Sequence, residues 1–186
     1  MTKTARIVLL NGVGSAGKSS IATALQSITA DPFLHVQMDA FLDMMPAAYQ
    51  DHSDAFSYET LLEDGKPLVV IRSGPLGERV MRGMRHAIAA MAAQGNDLIV
   101  DEVLTNDGAK AAYAALLAPF ELRLVGVFAP LEVLEDRERQ RGDRLIGLAR
   151  WQYDRVHKGM SYDLEVDTTR ATPMECARLI KEKFRL

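Results

Sequence analysis

The segment from Arg6 to Ser20, R-I-V-L-L-N-G-V-G-S-A-G-K-S-S, leaves few ways for the rest of the chain to fold. Ile7 to Leu10 is a short, wholly apolar run, the pattern of a strand buried in a parallel sheet. Directly after it, Gly12-Val13-Gly14-Ser15-Ala16-Gly17-Lys18-Ser19 matches the phosphate-loop pattern G-x-x-x-x-G-K-[ST] in full, with Ser20 following. Ile21, Leu25 and Ile28 then recur at i, i+4 and i+7, one apolar face of a helix. Strand, glycine-rich turn and helix is the context the motif requires. Glycines let the backbone approach an anion closely, and the positive end of the helix faces the phosphates. In this pattern Lys18 reaches the β- and γ-phosphates and the Ser19 hydroxyl binds Mg²⁺.

The remaining chain predicts an α/β fold, a parallel sheet with helices on both faces. Strands are expected at Phe33–Met38, Leu98–Val100, Leu122–Phe128 and Tyr162–Val166. Helices are expected at Ala40–Met45, from Pro75 to about Gly95, from Asn106 or Asp107 to Pro119, at Leu131–Gln140, at Leu145–His157 and after Thr172. Thr172-Pro173-Met174-Glu175 is a capping box with proline at the first helical position. Glu135 and Arg139 are spaced for an i, i+4 pair. Residues 47–74 show poor periodicity and read as an irregular insertion, with a turn at Glu63–Pro67 and a short strand at Leu68–Ile71. The face carrying Val80, Met84, Ile88 and Met91 serves either the core or a dimer.

No repeat or low-complexity linker interrupts residues 1–186, which predicts one domain. With 48% apolar and 25% charged residues the composition is that of a globular protein. A net charge of −3 argues against a nucleic-acid partner, and no apolar run approaches the length of a membrane span. The lone cysteine, Cys176, suits a reducing compartment, so a soluble cytoplasmic protein is expected.

Ligands of such sheets bind outside the carboxyl ends of the strands. Asp101 ends the third strand, where a carboxylate beside a phosphate loop holds Mg²⁺ directly or through water; Glu102 is a weaker candidate. Asp39 ends the second. It is read as the base that orients and deprotonates an acceptor hydroxyl, or as the cap of the helix at Ala40, with Asp43 a weaker candidate for the base. Residues 131–147 read as a lid. Arg141 and Arg144 flank a break at Gly142 and are expected over the transferring group, whereas Arg137 and Arg139, with acidic neighbours, read as a solvated face. Phe33, Phe41, Met44, Met45, Tyr49, Phe56 and Tyr58 are candidates for an apolar acceptor pocket, many of them core. His157, Trp151 and Cys176 are read as structural.

The segments M-D-A-F-L-D-M-M-P, D-L-I-V-D-E-V, R-G-D-R-L-I-G-L-A and Y-D-L-E-V-D-T-T, in order behind the phosphate loop, resemble the chloramphenicol 3-O-phosphotransferase-like family of small P-loop kinases. The resemblance implies a three-layer α/β/α fold with a five-stranded parallel sheet like that of nucleotide and shikimate kinases. It also implies ATP as donor, Mg²⁺ as cofactor, and transfer of the γ-phosphoryl to a hydroxyl of a small molecule. The family's base matches Asp39 and its lid arginines match Arg141 and Arg144. Chloramphenicol, a nucleoside or a sugar are the acceptors to weigh, because the match is weakest over residues 47–71, where the acceptor pocket is expected. A nucleotide-dependent switch is the alternative; the guanine-reading N-K-x-D segment of GTPase switches is absent from the chain.

Overall fold

The computed structural model describes residues 4–142 and 144–186. Of the expected lid, Asp143 lies outside them. Five parallel strands form the central sheet. They are β1 (Arg6–Asn11), β2 (Phe33–Gln37), β5 (Asp97–Glu102), β6 (Glu121–Phe128) and β7 (Leu164–Asp167), in the order β2-β5-β1-β6-β7. β1 is central because it can be buried on both sides. Its alternate residues split between the faces: Val8 and Leu10 join one apolar cluster, Ile7 and Leu9 the other. Each such side chain, fully removed from water, contributes about 1.5–3 kcal/mol.

Helices α1 (Lys18–Ile28) and α7 (Pro173–Phe184) pack together on the first face. Ile21, Leu25, Cys176 and Ile180 lie there against Val8, Ile99 and Val125. On the second face, α3 (Pro75–Ala93) and α4 (Asp107–Leu117) bring Met84, Ile88, Tyr113 and Leu117 against Ile7, Leu9 and Leu98. The Met84–Ile88 face thus belongs to the core. Cys176 is fully buried, as a packing residue. The capping box forms at Thr172, and Asn106 caps α4 by accepting from the Ala109 amide at 2.8 Å.

The boundaries shift at several strand ends. β2 stops at Gln37, and the short helix α2 (Met38–Asp43) begins two residues before the expected start at Ala40. Gln37 occupies its N-cap without a side-chain bond, so Asp39 lies inside the first turn and is not the cap. β5 runs on through Asp101 and Glu102, which pair in register with Leu10 and Asn11 of β1. The last strand starts at Leu164, and the helix expected from Leu145 is α6 (Leu148–Val156).

The larger correction concerns residues 47–74. Beyond one 3-10 turn at Ala47–Tyr49, they form an antiparallel hairpin, β3 (Phe56–Glu63) with β4 (Lys66–Ser73). Asp64 and Gly65 turn it with φ of 50° and 74°, the two positive values of a tight hairpin turn. β3 escapes sequence reading because F-S-Y-E-T-L-L-E is half-buried at one end and exposed at the other, so no alternation survives. The hairpin is fastened to the lid along the turn-proximal half of β4. Val69 donates to the Gly147 carbonyl at 3.0 Å, just before α6, and a Cβ on Gly147 would meet the Pro67 oxygen at 2.5 Å. α5 (Leu131–Arg141) and α6 meet through Glu135, which pairs with Arg150 and, at 3.9 Å, with Lys66 of β4. The expected Glu135–Arg139 pair gives way to these; Arg139 pairs with Asp136 instead. Among the described residues no helix is long and apolar enough to cross a membrane.

Candidate active site

The phosphate loop joins β1 to α1 and forms one wall of a cavity of about 670 Å³. Its shape needs small residues where they stand. A Cβ on Gly12 would meet the Val127 oxygen at 2.6 Å, and Gly17, at φ 94°, precedes the first turn of α1. Ser15 adopts a positive φ of 64° as well, a conformation seldom held by residues with a side chain. Gly14, Ser15, Gly17, Lys18, Ser19 and Ser20 line the cavity. Gly12, Val13 and Ala16 are buried beneath it. Lys18 Nζ donates to the carbonyls of Gly12 and Val13 at 2.9 and 3.1 Å and lies 3.7 Å from Asp101. Burial pulls its pKa down, opposed by the charges of Asp101 and Asp39.

Ser19 Oγ donates to Asp101 Oδ2 at 2.5 Å. Burial alone would raise the Asp101 pKa. His35, its Nε2 3.7 Å away, the Lys18 charge and the Ser19 hydroxyl outweigh it, so the carboxyl lies below its usual range and stays ionised. A hydroxyl and an ionised carboxylate in contact are the oxygen donors a hard divalent cation prefers. Among the described residues no group of three or more His, Cys, Asp or Glu could hold a metal. An ion here would take its other ligands from phosphate oxygens and water, the usual habit of Mg²⁺.

Across the same cavity stand Asp39, Arg141 and Arg144. Arg144 Nη2 donates to Asp39 Oδ2 at 2.5 Å, joining the segment after β2 to the lid. Arg137, expected on a solvated face, lines the cavity instead and donates to the Thr168 hydroxyl and carbonyl at 2.8 and 2.9 Å. Two residues not singled out in the sequence organise the lid. Glu138 is buried and accepts from the amides of Gly147 and Ala149, at 2.8 and 2.7 Å, so α5 caps a helix whose own cap is a glycine. Gln152 on α6 accepts from the Gly14 amide at 2.7 Å and anchors the phosphate loop to the lid helix. A polar residue buried in mid-helix is its one sequence signal, visible only once burial is known.

A second cavity of about 240 Å³ adjoins the first, sharing Met38, Val103 and Gln152 with it. The roots of the hairpin (Phe56, Tyr58, Ile71) and the α3 residues Glu78, Met81 and Arg85 line it. Trp151, read as packing, is at its wall. Of the other aromatic and methionine candidates, Phe33 is buried in the core beneath Arg6, and Met44 is 70% exposed. Glu102 also lines this cavity and is buried. Tyr113 donates to its Oε2 at 2.7 Å and the Val103 amide to its Oε1 at 3.0 Å, yet burial prevails and its pKa rises. His157 is structural: it stacks on Phe128 at 3.9 Å and bonds to the Tyr162 hydroxyl at 2.7 Å.

Solved structures share the fold. The APS kinase of Mycobacterium tuberculosis superposes with a TM-score of 0.69 at 15% identity, covering 98% of this chain and 99% of that one. The shikimate kinase of Acinetobacter baumannii gives 0.59 at 13% identity, covering 98% and 94%. Two proteins of Mycobacterium tuberculosis named as candidate O-phosphotransferases are each 31% identical over 185 residues, covering 96% of this chain and 82% of their own length. The sequence profile of the chloramphenicol phosphotransferase-like proteins matches residues 5–185. A phosphate loop facing a lid, with a second cavity beside it, is the arrangement of a P-loop phosphotransferase with a hydroxyl acceptor, and this chain belongs to the chloramphenicol phosphotransferase-like family.

Proposed function

We propose that the protein transfers the γ-phosphoryl group of ATP to a hydroxyl of a small molecule, with ATP in the larger cavity and the acceptor in the smaller. The observation that carries this reading is the juncture of the two cavities at Met38 and Val103, beside Asp39 and Asp101. Asp39 orients the acceptor hydroxyl and takes its proton. The freed oxygen forms a bond to the γ-phosphorus, the bond to the β–γ bridging oxygen breaks, and ADP leaves with that electron pair. Lys18, Arg141 and Arg144 neutralise charge on the moving group. Ser19 and Asp101 would hold Mg²⁺, which would supply positive charge to offset that of the phosphates. In the absence of acceptor Arg144 pairs with Asp39 across the cavity. Chloramphenicol is one acceptor suggested by the family; nucleosides and sugars are others. A nucleotide switch would leave the second cavity without a use.

The test is to incubate the protein with ATP, Mg²⁺ and a panel of hydroxylated antibiotics, nucleosides, sugars and hydroxy acids, read by mass gain of one phosphate. At least one compound gains a phosphate, and Asp39→Asn lowers its turnover by about 10²–10⁴-fold with nucleotide affinity kept. Hydrolysis of ATP with no acceptor modified, equal in wild type and Asp39→Asn, would refute the kinase reading.

A further inference from the structure

Glu78, Met81 and Arg85 stand at i, i+3 and i+7 of α3, so one stripe of the helix faces the second cavity with a cation at its far end. Arg85 is unlike the other arginines near the two cavities. Its Nε is buried and has no hydrogen-bond partner. Arg137 is bonded to Thr168 and Arg144 to Asp39; Arg150 also has a buried Nε without a partner, but its Nη2 is paired with Glu135. None of the ion pairs found among the described residues involves Arg85. Its field reaches Glu102, but both Glu102 oxygens already accept bonds, from Tyr113 and from the Val103 amide. Glu78, two turns back, is exposed and forms no pair with it either. A guanidinium with a buried, unanswered N–H is an uncompensated donor, and leaving such a group without a partner is costly. Its planar fork matches two oxygens of one carboxylate.

Resting on the kinase reading above, we propose that the acceptor is a compact hydroxy acid whose carboxylate is bound by Arg85 and whose hydroxyl reaches Asp39. Part of the remaining lining suits the body of such a molecule: Met38, Leu42, Phe56, Ile71, Met81 and Leu104 are apolar. At about 240 Å³ the space lies below that of drug-sized ligands, so the acid is small. The transfer is the one written above: the hydroxyl proton passes to Asp39, the phosphoryl to the hydroxyl oxygen, and the carboxylate is unchanged.

The chain's single tryptophan, Trp151, lines this cavity and reports binding without turnover. Mandelate, gluconate, shikimate and 4-hydroxybenzoate are titrated against their amides, following Trp151 fluorescence, in wild type, Arg85→Met and Arg85→Lys. At least one acid binds at least ~10-fold more tightly than its amide. Arg85→Met abolishes that preference and Arg85→Lys, which keeps charge and loses the fork, restores part of it. Circular dichroism shows whether each variant is folded. Acids binding no better than their amides, or an acid preference that persists in folded Arg85→Met, overturns the proposal. The kinase reading fails separately: if a neutral alcohol gains a phosphate and no acid does, the phosphotransferase stands and the hydroxy acid falls.

Discussion

The two cavities differ in how they are built. The larger is founded on one unbroken stretch, Gly12 to Ser20, whose conformation follows from its own glycines and from the helix it starts. The smaller is assembled from segments far apart in the chain: Met38 and Leu42, the hairpin roots, α3, the end of β5, and Trp151. A site held by local backbone geometry is the same in any protein that uses it. A site held by side chains from distant elements can be remade by changing any of them. The first handles what every such enzyme shares, and the second what distinguishes this one.

That division can be broken by experiment. The largest effect is expected for Lys18→Ala, which removes a cation from the transferring group and lowers kcat/KM by about 10²–10³-fold or more. The loss should be the same for every acceptor tested in steady-state assays. A loss that varied with the acceptor would mean the two cavities do not act separately. Gly147→Ala comes next. Its φ of 103° and the 2.5 Å approach of a new Cβ to the Pro67 oxygen put strain where lid and hairpin meet. Together these should cost about 2–4 kcal/mol of stability. Chemical denaturation measures that cost, and the KM of both substrates should rise. A rise for one substrate alone would uncouple hairpin from lid.

The smallest effect concerns pH. His157, against Val13 on the donor side, has its pKa pushed down to about 4 by burial, with the Lys18 charge adding to the shift. The unfolded chain binds that proton near pH 6.5, the folded protein only near 4. The contribution of neutral His157 to stability is therefore whole above pH 6.5 and is lost as pH falls toward 4. Thermal melts of wild type and His157→Gln should converge in slope above that window and diverge within it, the wild type falling faster. Parallel curves throughout would remove His157 as the source.

The sequence reading follows the same line between local and distant. The phosphate loop, the strand-end carboxylate Asp101 and the capping box at Thr172 are legible because each depends on neighbours a few residues away. The central strand is legible because Ile7–Leu10 is apolar on both faces. Asp39, legible as a strand-end carboxylate, lines the larger cavity, although its helix begins earlier and gives it no capping role. β3 is not legible in the sequence, since it is half-buried at Phe56–Tyr58 and exposed from Glu59 onward, with no alternation along it. Arg137 reads as solvated because of its acidic neighbours, but it lines the larger cavity and bonds to Thr168. Gln152 and Arg85 lie within amphipathic helices and look like ordinary polar positions until the packing shows which way they face.

The hairpin also marks where the chain tolerates growth. At its turn, a Cβ on Gly65 would meet nothing within 4 Å, although β4 meets the lid nearby at Pro67 and Gly147; the root is clamped at Gly74, with the Ser53 oxygen 2.0 Å from any added Cβ. Extra residues spliced between Asp64 and Gly65 would extend into solvent, seven register positions from the Phe56–Ser73 pair at the cavity. Residues inserted at the roots would shift the cavity wall itself. The tip is therefore a grafting point for a label or a fused partner, and the roots are where lineages can diverge in what they modify.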